Sequence, residues 1–174
     1  MSVYSDAYEK HKNLRLAAEE LGIKLPKLYY NLKKEGVVVT GDKTKYGSRK
    51  DQFGAKAEGE FQSMFPRAVN NNGKEFQAKI DFYLDGLGVD VKGAAPSGSD
   101  KRFSNKRWAF SLKKQESIAD IFFCIAYLDD KPFKYFVIPG DLVRFYQTIS
   151  IPMSGRTKWA EFELSREECI QSFI

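Results

Sequence analysis

Ile80-Asp81-Phe82-Tyr83-Leu84-Asp85-Gly86-Leu87-Gly88-Val89-Asp90-Val91-Lys92 reads as two short strands joined by an Asp-Gly turn. An Asp-Gly pair between alternating apolar runs is a strong short-range hairpin signal. Side chains on a strand alternate faces, so Asp81 and Tyr83 share one face, as do Asp90 and Lys92. With a two-residue turn, Leu84 stands opposite Leu87, and counting outward sets Asp81 opposite Asp90. Ile80, Phe82, Leu84, Val89 and Val91 then take the other face, toward a core. Two opposed carboxylates at ~5 Å and an effective dielectric of ~20 repel by about 3 kcal/mol. A divalent cation between them removes that penalty, with Lys92 beside it. A three-residue loop would flip one strand and separate the two acids. The plain alternative is a surface hairpin with solvated acids at its ends.

Upstream, Gly54-Ala55-Lys56-Ala57-Glu58-Gly59-Glu60-Phe61-Gln62-Ser63-Met64-Phe65-Pro66 carries Ala57, Phe61 and Met64 or Phe65 at helical spacing. Pro66 ends the run. Glu58 lies just off that apolar stripe.

This order of helix, hairpin with aspartate and Asp-x-Lys strand resembles the catalytic core of the PD-(D/E)xK nuclease superfamily, over residues 53 to 139. Position by position, Glu58 matches the helix glutamate, Asp81 the lone aspartate, and Asp90 with Lys92 the (D/E)xK pair. Ile80 stands where many relatives have proline. The resemblance implies a restriction-endonuclease-like core, a mixed β-sheet flanked by helices in an α/β chain. It implies an endonuclease that hydrolyses phosphodiester bonds of double-stranded DNA with Mg²⁺, for which Mn²⁺ substitutes. Asp81, Asp90 and the Val91 carbonyl would hold the metal, and Glu58 a second metal or a metal water. Lys92 would orient the attacking water and stabilise phosphate charge. Gln115, just past the strand that holds Trp108, reads either as a hydrogen-bonding group near the metal or as a plain polar residue at a strand end. Homing, restriction, junction-resolving and repair enzymes share this pattern. A DNA-binding regulator on a retired nuclease scaffold is the competing class, but nothing would then preserve opposed aspartates.

The net charge of +5 is placed unevenly. Residues 1–50 hold 11 Lys/Arg against 6 Asp/Glu, and the remainder holds 17 of each. Such asymmetry suggests an N-terminal module for a polyanion. Leu16–Ile23 reads as a short helix closing near Gly22, and Pro26 opens a second helix that runs to Glu35. Ala18, Leu21, Ile23, Leu28 and Leu32 form an inner side. The pattern resembles a Fis-type helix-turn-helix, with Lys24, Leu25, Lys27, Tyr30, Asn31 and Lys34 outward on its second helix. A helical hairpin used only for packing is the bland reading. Val37–Thr40 reads as a short strand. Residues 41–52 read as a basic linker whose Lys43, Lys45, Arg49 and Lys50 either track a phosphate backbone or keep a loop solvated. The expected organisation is therefore a DNA-binding region over 1–40, the linker over 41–52 and the nuclease core over 53–174.

Composition excludes several classes. Apolar residues make up 43% of 174, with 14 Phe and 9 Tyr, enough for a sizeable core. No apolar run is long enough to span a membrane. Met-Ser-Val-Tyr-Ser-Asp lacks the pattern of a secretory leader, so the expected location is the cytoplasm of a bacterial or phage-infected cell. Cys124, inside an apolar run, and the distant Cys169 suit a reducing compartment. His11 is the single histidine and reads as a surface residue. The loop after Lys92 lacks the Gly-Lys-Ser/Thr end of a phosphate-binding P-loop, which excludes an NTPase of that kind. Arg107–Leu112, Ala119–Leu128 and Phe133–Ile138 read as strands, with a turn at 129–132. Pro139-Gly140 is expected to end the sheet, with helical pieces over Asp141–Gln147 and Ser165–Phe173. Cutting both strands of a duplex with one site per chain favours a homodimer or higher homo-oligomer.

Overall fold

Ile121–Leu128 (Ile-Phe-Phe-Cys-Ile-Ala-Tyr-Leu) has no polar face, and a strand of this kind must be covered on both sides. It is β5, near the middle of a six-stranded mixed sheet in the computed structural model, which describes residues 2–39, 48–72, 78–98, 105–112 and 119–173. The sheet contains β1 (Val69–Asn70), β2 (Phe82–Leu84), β3 (Leu87–Ala94), β5, β6 (Lys131–Pro139) and β8 (Glu163–Leu164), in the order β1-β2-β3-β5-β6-β8. β3 and β5 run parallel, and the other neighbours are antiparallel.

Alternation along β5 divides the core in two. Phe123, Ile125 and Tyr127 meet Ala57, Phe61 and Phe65 at helix α4 (Arg49–Met64), with Cys169 of a short C-terminal helix. Phe122, Cys124 and Ala126 face the opposite way, onto a ribbon of β4 (Arg107–Ser111) and β7 (Thr148–Pro152). The ribbon contributes Trp108, Phe110, Ile149 and Ile151, and Trp159 of a 3-10 helix joins them. Helices α5 (Gly140–Val143) and α6 (Arg166–Gln171) complete this part. Ser165 and Glu168 form a capping box that starts α6. A Cβ at Gly93 would lie 2.9 Å from the Ala57 Cβ and 3.0 Å from the Phe53 carbonyl oxygen, so glycine sets how closely α4 approaches β3.

The chain divides into two compact units, residues 53–70 with 79–174, and residues 1–52 with 71–78. The second contains α1 (Val3–His11), α2 (Leu14–Glu20) and α3 (Leu25–Lys34). Ala7, Tyr8, Ala17, Ala18, Leu28, Leu32 and Val39 are its core. Asn13 caps α2, and Gly22 makes the turn to α3 in the left-handed region at φ +64°.

The expected α/β class with a mixed sheet flanked by helices is what forms. Several expectations change in detail. The N-terminal unit has an additional helix, α1, and His11 at its end pairs with Glu20. Val37–Val39 is not a strand, because its residues close α3 and fill the small core. The turn before β6 is the pair Asp129-Asp130, both at positive φ. The helical piece after Pro139 is confined to Gly140–Val143, and Thr148–Pro152 is a strand that pairs with β4. The sheet does not end at Pro139-Gly140, since β8 adds to β6 beyond it. Residues 41–47 of the expected linker lie outside the described residues.

Candidate active site

The hairpin has the register that a two-residue turn dictates. Leu84 pairs with Leu87, Tyr83 with Gly88 and Phe82 with Val89. Asp85 and Gly86 both have positive φ, 51° and 84°, as a type I′ turn requires. Phe82, Leu84, Val89 and Val91 enter the α4 side of the core. Pairing then stops. Ile80 does not join them on that face, as alternation had suggested. Its side chain lies over Gly88, where an added Cβ would come within 2.8 Å of its Cδ1. The chain has therefore left the ladder before Phe82, and a side chain completes it. Asp81 Oδ2 accepts the backbone N–H of Val91 at 2.8 Å, where an unbroken antiparallel pair would use the carbonyl of residue 80. Near the turn of the hairpin, Asp120 Oδ2 accepts the Gly88 N–H at 2.7 Å, which ties β3 to the start of β5.

Asp81 lies against Asp90 at this break. The Asp90 side chain shares its face of β3 with Gly88, Lys92 and Ala94, away from α4. Only 2% of Asp90 is exposed. Lys92 Nζ donates to its Oδ1 at 2.6 Å, while Oδ2 is buried without a donor. Burial pushes the Asp90 carboxyl up, Lys92 opposes that, and the adjacent Asp81 adds to it; the result is about 7. Desolvation outweighs the lysine here because the pair is taken out of water together. Burial alone would lower the Lys92 ammonium, but Asp90 and then Asp81 outweigh it and raise the group above its usual value. Cys124 stands next to Lys92 across the parallel β3–β5 ladder. Burial, with Asp90 adding, pushes its thiol far up, so it is a neutral neighbour. That neighbour was invisible in the sequence, since a parallel pairing across an intervening ribbon strand has no local signature.

The arrangement fits a cation. A buried carboxylate oxygen lacks a donor, a second carboxylate adjoins it, and both are hard oxygen donors of the type that Mg²⁺ prefers. Val91 turns its N–H toward β2, and in an antiparallel strand its carbonyl turns the same way, into the gap that the departing chain leaves. Among the described residues no group of three or more His, Cys, Asp or Glu side chains could hold a metal ion together. Glu58 is half-buried on α4 beside Ala57, the residue that meets Gly93. Gln115 lies outside the described residues.

In the N-terminal unit, Lys27, Tyr30 and Lys34 are exposed on α3, and Tyr30 is 67% exposed. Lys24 precedes the helix as its N-cap residue. Asn31 is half-buried, and its Nδ2 donates to the Lys27 carbonyl at 2.8 Å. Lys50 falls in the first turn of α4; its side chain lies outside the described residues.

No family model and no curated protein matches the chain. Among solved structures, the chain is similar to that of a bacterial homing endonuclease, I-Ssp6803I, at a TM-score of 0.49 and 16% identity. The similarity covers 72% of this chain and 94% of that one. Among the described residues no helix is long and apolar enough to cross a membrane.

Proposed function

We propose that the chain is a Mg²⁺-dependent endonuclease that hydrolyses phosphodiester bonds in double-stranded DNA at chosen sites. The observation that carries this reading is the buried, donor-less Oδ2 of Asp90 beside Asp81, with Lys92 on the other oxygen. A fold that only needed stability would not bury one carboxylate against another. Asp81 and Asp90, with the Val91 carbonyl, would hold Mg²⁺ or Mn²⁺. When bound, the cation polarises a phosphoryl oxygen and supports a hydroxide-like nucleophile near neutral pH.

The protein's own groups account for the rest. Lys92 is an ammonium with three donors, one of them on Asp90. The others suit a water approaching phosphorus and the charge that develops on the phosphate oxygens. Asp81 positions the site by tying itself to the Val91 N–H. Glu58, from α4, would serve a second ion or its water. Lys24, Lys27, Tyr30, Asn31, Lys34 and Lys50 supply a basic, aromatic surface for the duplex, with α3 as the reading helix. A basic reading unit joined to a small nuclease core suits a homing or restriction-like enzyme of a phage or mobile element. That step is analogy with the superfamily.

The test is incubation of supercoiled plasmid, linear duplex and branched DNA with the protein in Mg²⁺, in Mn²⁺ and in EDTA. Metal-dependent nicked or linear plasmid is the expected result. Cutting of branched DNA alone would identify a junction resolvase. Failure to cut all three in both metals, with DNA still bound, would identify a regulator.

A further inference from the structure

We infer that the outward face of the β4–β7 ribbon enters the major groove and reads base edges of the duplex that the Asp81–Asp90–Lys92 site cuts. This rests on the nuclease reading of that site, but a different part of the molecule carries it.

The ribbon has two unlike faces. Trp108, Phe110, Ile149 and Ile151 are buried against the sheet. The alternate residues form cross-strand pairs on the other side: Arg107 with Pro152, Ala109 with Ser150, and Ser111 with Thr148. Arg107, Ala109 and Thr148 are exposed, and Ser111 and Ser150 half-exposed. This outward face holds no acid and no large apolar group. Small side chains let two strands approach base edges closely, and hydroxyls can bond to any of them. A two-stranded ribbon fits the ~12 Å major groove, and arginine is the commonest reader of guanine there.

Charge complements a phosphate backbone at one end of the ribbon. Lys106 adjoins Arg107, and its carbonyl accepts the Met153 N–H at 3.0 Å, which brings in the turn that leads to the exposed Arg156. The same end is tied to the candidate site. Ser97 and Arg107 exchange backbone hydrogen bonds of 2.8 and 2.9 Å, and Ser97 follows Lys92 by five residues in the chain. Five residues span at most ~17 Å, about five base pairs of duplex. A phosphate at Lys92 therefore places the nearby groove within reach of Arg107.

The experiment selects bound duplexes from a random-sequence pool, in EDTA, with the full chain and with its Arg107→Ala, Ser150→Ala and Thr148→Val variants. The recovered sequences are compared with the cleavage ends in Mg²⁺. Selection by the wild type of a base preference within about five base pairs of the cut is expected. Arg107→Ala should erase a guanine preference by about tenfold or more at one position. Melting temperatures confirm that the exposed substitutions leave the fold intact, and Thr148→Val keeps the shape while removing the hydroxyl. A wild type that binds and reads sequence but does not cut would remove the nuclease reading, and the ribbon's part in reading would then be decided by the variants' binding preferences alone. Base preferences unchanged in all three variants, or no preference in the wild type, would overturn it.

Discussion

Asp81 Oδ2 takes the backbone N–H of Val91 at 2.8 Å, in the place of a strand carbonyl. This one bond both ends the hairpin ladder and fixes a carboxylate beside Asp90. Asp90 sits on the opposite strand with one oxygen on Lys92 and the other buried without a donor. The chemistry of the site follows from a break in the sheet rather than from its regular part.

Asp90→Asn should abolish Mg²⁺-dependent cleavage and leave duplex binding within about threefold. It removes the charge but keeps the shape, and the buried position leaves little room for another acid. Lys92→Met should lower the cleavage rate by two or more orders of magnitude, as loss of a preorganised donor to developing charge does. Plasmid nicking with a parallel binding titration checks both. Unchanged cleavage by Asp90→Asn would end the assignment.

Stability without metal should depend on pH through Asp90. Its carboxyl is raised in the folded protein to about 7, first by burial and then by Asp81. A group raised on folding contributes its stability fully below its unfolded value, and the contribution is lost as pH rises through the folded value. The metal-free protein should therefore lose on the order of 4 kcal/mol from this group between pH 4 and pH 8. Asp90→Asn should flatten that slope, and Asp81→Asn should reduce it. Saturating Mg²⁺ should raise the melting temperature at pH 8 in the wild type but not in Asp81→Asn or Asp90→Asn. Thermal melts across pH in EDTA and in Mg²⁺ measure it. Equal slopes in wild type and Asp90→Asn would show that the carboxylates are not strained as described.

Gly93→Ala should separate the contributions of α4 and β3. The new methyl would meet Ala57 Cβ at 2.9 Å and the Phe53 carbonyl oxygen at 3.0 Å, so the helix must shift outward. Overpacking of this kind costs about 1–3 kcal/mol. If Glu58 serves the cut phosphate from α4, cleavage should fall while the Mg²⁺-dependent rise in melting temperature, which reports Asp81 and Asp90, is kept. Cleavage that survives the shift unchanged would release Glu58 from the chemistry.

The hairpin was legible because its signal is local: Asp85-Gly86 sets the turn, and the turn sets the register. The helix bearing Glu58 was legible from Ala57 and Phe61, though it starts earlier, at Arg49. β7 was not. Thr148–Pro152 carries only two inward residues, Ile149 and Ile151, and its partner strand lies some forty residues earlier, so no local pattern announces the pairing. Ile80 was misplaced for a related reason. Alternation assigns its face only while the ladder continues, and Asp81 ends the ladder by using its side chain.

Recognition by α3 can be tested at Asn31. Its Nδ2 spends one hydrogen on the Lys27 carbonyl at 2.8 Å, which fixes the plane of the amide. The second hydrogen and Oδ1 remain as the donor and acceptor that adenine N7 and N6 require. Tyr30, 67% exposed, and the flanking Lys27 and Lys34 have no comparable pattern and suit sugar, phosphate or guanine. Asn31→Ala should therefore weaken the cognate site by about 1–3 kcal/mol and random duplex hardly at all. Lys50→Ala should weaken both alike and reduce the salt slope by about 1. Titrations of each variant on cognate and random duplexes at two salt concentrations decide it. Equal loss on both duplexes with Asn31→Ala would make α3 a phosphate-binding element. No loss on either would make it a packing element, and site choice would then fall to the unit that holds the six-stranded sheet.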